Sequence, residues 1–188
     1  VRGARVVGVA GPGNNGGDGM AAARYLANDG CDVRVVVLGQ RAKITGDAAV
    51  QLRLLERMEI PVHFAHTVPM WEDLLDWLYT SDVVVDAIFG TGFRPPVADD
   101  FFSTVIDDIN HAPGQVVAID IPSGLSADRG EAQGPSVHAT ATVWLGFPKY
   151  AHVLPPAEAQ CGALHPGNLG LPPRIAAEAG VKAEWVSR

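Results

Sequence analysis

Short apolar runs alternate with amphipathic helical patterns along most of this chain, and the links between them are brief. The runs are Val6–Ala10, Val33–Leu38, Val62–Phe64, Val83–Val85, Val116–Ile119 and Ala141–Leu145. Most carry apolar residues without alternation, the pattern of strands covered on both faces of a parallel sheet. Between them, residues 19–29 predict a slim helix through Ala21, Ala22 and Ala23, stopped by Asn28, Asp29 and Gly30. Thr45 caps a second helix with Ala48, Leu52 and Leu55 on one stripe, ended by Ile60 and Pro61. Pro69 opens a third, whose Trp71, Leu74, Leu75 and Leu78 fall at i, i+3, i+4 and i+7. A fourth spans 99–110, with Phe102, Val105, Ile106 and Ile109 at helical spacing. Residues 125–138 read as a loop, and the proline-rich remainder carries a short strand near Trp185.

Strict alternation with links this short leaves crossover connections as the solution, hence a Rossmann-like, doubly wound, mainly parallel sheet in a three-layer αβα sandwich. In the strand order 3-2-1-4-5-6, strands one, four and five are neighbours, and a ligand crevice lies at their carboxyl ends. Those ends carry the unusual loops of this sequence: 11–19, 86–96 and 120–124. Five of the nine residues in the first are glycine, and Asn14, Asn15 and Asp18 supply its polar side chains.

At 188 residues, a single domain over 1–188 is expected. A formal net charge of −7 argues against nucleic acid as the partner. Two cysteines, Cys31 and Cys161, fit a reducing compartment better than a disulfide framework. No long apolar stretch or signal-peptide pattern points to a membrane, so a cytoplasmic protein is expected. The chain enters its first strand almost at once, which reads as a trimmed N-terminus.

Gly11, Gly13 and Gly16 satisfy the G-x-G-x-x-G spacing of a dinucleotide fingerprint. Its acidic companion belongs at the end of the second strand, where Leu38, Gly39, Gln40 and Arg41 stand instead; Asp32 lies at the strand's start. Asp18 would also set a carboxylate near the helix N-terminus meant for pyrophosphate. A hydride-transfer site is therefore disfavoured, and without a G-K-[ST] tail there is no P-loop. A cation site fits better. The Asn15 amide, the Asp86 carboxylate, the Ser123 hydroxyl and free glycine carbonyls are hard oxygen donors, suited to an alkali or alkaline-earth ion rather than zinc or copper. The plainer alternative is that Asp18 and Asp86 cap loops. Asp120 closes an apolar strand ahead of Ile121 and Pro122, where burial disfavours its charge and a nearby cation favours it. A carboxyl group so poised can serve as general acid and base; its plainer role is turn formation ahead of Pro122, Ser123 and Gly124. Thr91, Arg94 and the glycines at 90–92 could take a phosphate. Lys149 either reaches the crevice or lies on the surface. The six histidines show no metal spacing and read as loop and surface residues, and Trp71 reads as core.

Together, the strings Gly11–Gly19, Asp86–Gly92 and Ala118–Gly124 resemble the YjeF N-terminal domain, the family of NAD(P)H-hydrate epimerases. The resemblance runs from residue 5 to about 171. It implies a Rossmann-like fold, a bound potassium ion, and interconversion of the R and S forms of hydrated NAD(P)H before a dehydratase restores the cofactor. By motif position, it implies substrate contacts from Asn14, Asn15, Gly16, Gly17, Asp18, Gly90, Thr91, Gly92, Phe93, Arg94, Pro95, Pro96 and Asp120. Asn15, Asp86 and Ser123 become the potassium ligands, and Asp120 the acid/base. It further implies a homodimer and a functional link to a dehydratase. Against the resemblance, the helical segment that usually precedes the first strand is expected to be missing, and no dehydratase activity is expected of this stretch. A non-catalytic dimerising scaffold of the same fold is the rival expectation; retention of Asn15, Asp18, Asp86, Asp120 and Ser123 together speaks against it.

Overall fold

The computed structural model describes residues 2–94, 96–97, 99–172 and 174–178. The strand expected near Trp185 lies outside them. Seven parallel strands form one sheet: β1 (Arg5–Ala10), β2 (Asp32–Leu38), β3 (Val62–Ala65), β4 (Val83–Ala87), β5 (Gln115–Ile119), β6 (Ala141–Leu145) and β7 (Ala163–Gly167). Their order is β3-β2-β1-β4-β5-β6-β7, so the chain reverses its direction of travel across the sheet between β1 and β4.

Alternation along β1 divides the core. Val7 and Val9 join Trp71, Val105 and Ile109 on one face, under α3 (Val68–Glu72), α4 (Leu75–Tyr79) and α5 (Asp100–His111). Val6 and Ala10 join Met20, Ala23, Leu52 and Leu55 on the other, under α1 (Asn14–Asn28) and α2 (Gly46–Arg57). Asp99 caps α5 through a carboxylate that accepts the Phe101 N–H at 2.8 Å. No helix among the described residues is long and apolar enough to cross a membrane.

Four expectations need correction. The first helix starts at Asn14 rather than 19, so the polar residues of the glycine loop belong to its first turns. Gly16, Gly17 and Gly19 disfavour a helix by propensity, and packing overrides that cost. The helix expected from Pro69 is two short pieces, because i→i+3 bonds from Leu74 N–H to the Trp71 carbonyl and from Trp77 N–H to the Leu74 carbonyl tighten the backbone at the break. Its apolar stripe survives: Trp71, Leu74 and Leu78 are all buried. A seventh strand, β7, pairs with β6 from Ala163 opposite Ala141 to Gly167 opposite Leu145. It holds Pro166, which a central strand would exclude and an edge strand tolerates. Finally, His152 is a core residue rather than a surface one, 2% exposed.

Candidate active site

The carboxyl ends of β1, β4 and β5 meet at the point where the strand order reverses, and a cleft of about 720 Å³ opens there. Its first wall is the β1–α1 turn. The Gly11 N–H donates to the Ala87 carbonyl at 3.0 Å, and a Cβ on Gly11 would stand 2.0 Å from the Ile88 carbonyl oxygen. A Cβ on Gly16 would stand 1.9 Å from the Gly11 carbonyl oxygen, and one on Gly19 2.3 Å from the Ala87 Cβ. These glycines seat the start of α1 directly on the ends of β1 and β4. That contact, rather than turn conformation, is what requires them, because none of the three has a left-handed φ.

Asn14, Asn15 and Asp18 project from this seat and line the cleft. Asn15 donates its amide N–H to the Phe89 carbonyl at 3.1 Å, tying α1 to the loop after β4. The carboxyl of Asp18 is raised above its ordinary range, first by partial burial and then by the charge of Asp120.

The loop after β4 supplies an apolar wall. Phe89 and Phe93 stack with centroids 4.4 Å apart and planes 11° from parallel, and Phe102 of α5 tilts against Phe89 at 5.0 Å. Beneath the loop, Asp86 is fully buried. Its carboxylate accepts the Ser123 N–H at 2.8 Å, the Ser123 hydroxyl at 2.6 Å and the Ile88 N–H at 3.3 Å. Burial still pushes its pKa up to about 6 against the lowering effect of those bonds. No lysine, arginine or histidine among the described residues forms an ion pair with it.

Asp120 forms the third side. Its φ of 68° is left-handed, a conformation Asp tolerates better than most residues. Its Oδ1 accepts the Leu145 N–H at 3.1 Å and is ion-paired with Lys149 Nζ. Lys149 is thus part of the site and not a surface charge.

Of the residues expected to contact substrate, Asn14, Asn15, Asp18, Gly90, Thr91, Gly92, Phe93 and Asp120 line the cleft. Gly16 and Gly17 lie buried beneath it, inside α1. Arg94 turns back on its own loop, donating from Nη1 to the carbonyls of Thr91 at 3.2 Å and Phe93 at 3.1 Å. Pro96 faces Gly134, and Pro95 lies outside the described residues. Sequence reasoning missed Ile88, Phe89 and Phe102 as lining residues. Phe89 and Ile88 directly follow Asp86-Ala87, so their place at a strand end was available as a signal; Phe102 reads equally as helix core.

A doubly wound domain with polar loops gathered at its switch point belongs to the Rossmann-like class of folds, whose ligand crevice lies at that point. Comparison with known proteins narrows the class: residues 1–151 match the family described as "YjeF-related protein N-terminus", and the chain belongs to that family. It is similar to the NAD(P)H-hydrate epimerase of Oenococcus oeni, 34% identical over 89% of this chain and 75% of that protein. It is also similar to the bifunctional NAD(P)H-hydrate repair enzyme Nnr of Moorella thermoacetica, 38% identical over 92% of this chain but only 32% of that enzyme. The chain therefore spans about a third of its bifunctional relative. Among solved structures, yeast YNL200c superposes with a TM-score of 0.81 at 26% identity, covering 100% of this chain and 75% of the yeast one.

Proposed function

We propose that this domain epimerises hydrated NAD(P)H, with Asp120 moving the proton. The carrying observation is the placement of Asp120: a nearly buried carboxylate, fixed by Lys149 and the Leu145 N–H, that opens onto the same cleft as Asn14, Asn15 and Asp18. Relatives named as NAD(P)H-hydrate epimerases supply the substrate class. Asp120 exchanges a proton with the oxygen on the hydroxyl-bearing ring carbon, one bond to that carbon breaks, and the carbon becomes planar. The same bond re-forms on either face and the proton returns, so composition is unchanged and no oxidant or reductant is needed. The stacked Phe89 and Phe93 offer an apolar wall for a ring, and Asn14 and Asn15 offer amides to its polar substituents.

The donor set also fits a monovalent cation. Asn15 and Ser123 converge on the Phe89 backbone, the Asn15 amide N–H donating to its carbonyl and the Ser123 hydroxyl accepting from its N–H, and Asp86 beneath them is a buried charge bonded to Ser123 without a cationic partner among the described residues. Potassium held there would neutralise Asp86 and stiffen the loops after β4 and β5. Because bifunctional relatives are named repair enzymes, a dehydratase is the proposed functional partner.

The test is equilibration of separated R and S epimers, followed chromatographically. Asp120→Asn is expected to slow it by about 100-fold or more, the usual weight of a general acid/base. Equal rates would remove Asp120 from the mechanism, and an inactive wild type would remove the epimerase reading.

A further inference from the structure

We infer that Lys149 is a positioning residue for Asp120, fixing which carboxylate oxygen carries the proton; the inference rests on the epimerase reading. Both bonds to the Asp120 carboxylate, from Lys149 Nζ and from the Leu145 N–H at 3.1 Å, fall on Oδ1. Oδ2 is thereby the oxygen left for a proton in transit. Lys149 is itself held: Nζ donates to the Leu145 carbonyl at 2.8 Å, and the two side chains are 15% and 11% exposed. A charge pair this enclosed is screened little by solvent and keeps its geometry.

The support continues behind Lys149. Its backbone N–H donates to Nδ1 of His152 at 3.0 Å, which places the ring proton on Nε2. The imidazole is buried, and burial followed by the charge of Lys149 lowers its pKa. A neutral His152 leaves Lys149 as the cation facing Asp120. The single helical turn at Tyr150–His152 thus sets the start of the lysine side chain, while the end of β6 sets its tip. Lys149 and His152 act on the cleft through Asp120, which lines it, whereas neither of them does.

A positioning role predicts a kcat effect with little change in KM. Lys149→Ala is expected to lower kcat by about 30-fold or more with KM within about threefold. Ethylammonium or propylammonium at tens of millimolar should restore about tenfold of that loss by refilling the vacated site, a response that a merely structural lysine would not give. Wild-type kcat in Lys149→Ala, or a folded variant that small amines do not rescue, would overturn the inference. A second measurement uses the unmodified protein: a ¹⁵N–¹H lysine side-chain spectrum should show a slowly exchanging Lys149 ammonium that disappears in Asp120→Asn. Its absence in wild type would overturn the pairing. Failure of wild type to epimerise would instead defeat the epimerase reading, and the ammonium signal would still decide the pairing.

Discussion

Ser123 holds both oxygens of Asp86, its backbone N–H reaching Oδ2 at 2.8 Å and its hydroxyl reaching Oδ1 at 2.6 Å. The same hydroxyl accepts the Phe89 N–H at 2.9 Å, so one side chain latches the end of β5 to the loop after β4. Ser123→Ala leaves a buried carboxylate oxygen and the partly buried Phe89 N–H short of partners. The variant should lose about 1–3 kcal/mol of stability, read as a lower urea midpoint with an unchanged m-value. An unaltered midpoint would show that the latch contributes nothing.

Asp86 makes stability depend on pH in an unusual direction. A carboxyl raised from 3.8 to about 6 binds more protons in the folded state than in the unfolded state across that window. Stability contributed by its protonated form is present below the unfolded value and lost as pH rises through about 6. The loss is on the order of 3 kcal/mol when no cation is bound. Potassium chloride should therefore raise Tm more at pH 7.5 than at pH 4.5, relative to tetramethylammonium chloride at equal ionic strength. Asp86→Asn should flatten the pH dependence and abolish the difference between salts. A potassium effect that survives in Asp86→Asn would place the cation elsewhere.

The glycines of the first loop divide into those that packing requires and one that it does not. A methyl group at Gly16 would collide with the Gly11 carbonyl, whereas one at Gly13 would meet nothing within 4 Å. Gly13 also has an ordinary extended conformation, with φ of −94°. Gly16→Ala should displace α1 from β1 and destabilise by about 2 kcal/mol or more. Gly13→Ala should leave Tm within a degree or two. Thermal unfolding of the two variants side by side checks this, and similar losses at both positions would contradict the packing argument.

The sheet was readable because each central strand, buried on both faces, needs an apolar run, and each crossover helix needs an apolar stripe. β7 was not readable: Leu164 is its one large apolar residue, and its edge position tolerates Pro166. The convergence of Asn15, Asp86, Asp120 and Ser123 followed from topology, since strand ends far apart in sequence become neighbours at a switch point. Individual bonds did not follow. Which way Arg94 turns, and whether Lys149 reaches Asp120, depend on side-chain torsions that residue spacing does not constrain. His152 escaped for a related reason, as burial of one imidazole leaves no periodic trace in a turn-rich segment.

Arg94 shows how such a torsion changes an expectation. As a phosphate ligand, it would act through charge and its loss would be felt most at low salt. In the structure its guanidinium braces the carbonyls of Thr91 and Phe93, holding the loop that presents Phe93 against Phe89. Arg94→Lys keeps the charge but removes the Nη1 group that reaches both acceptors and the planar guanidinium that aims it. It should raise KM for hydrated NADH by about 3–10-fold while sparing kcat, the signature of lost uniform binding. The defect should be the same at 20 mM and 300 mM sodium chloride, because a brace between neutral carbonyls is not screened as a surface ion pair is. A defect that appears only at low salt, or only toward the NADPH hydrate, would return Arg94 to the role of phosphate ligand.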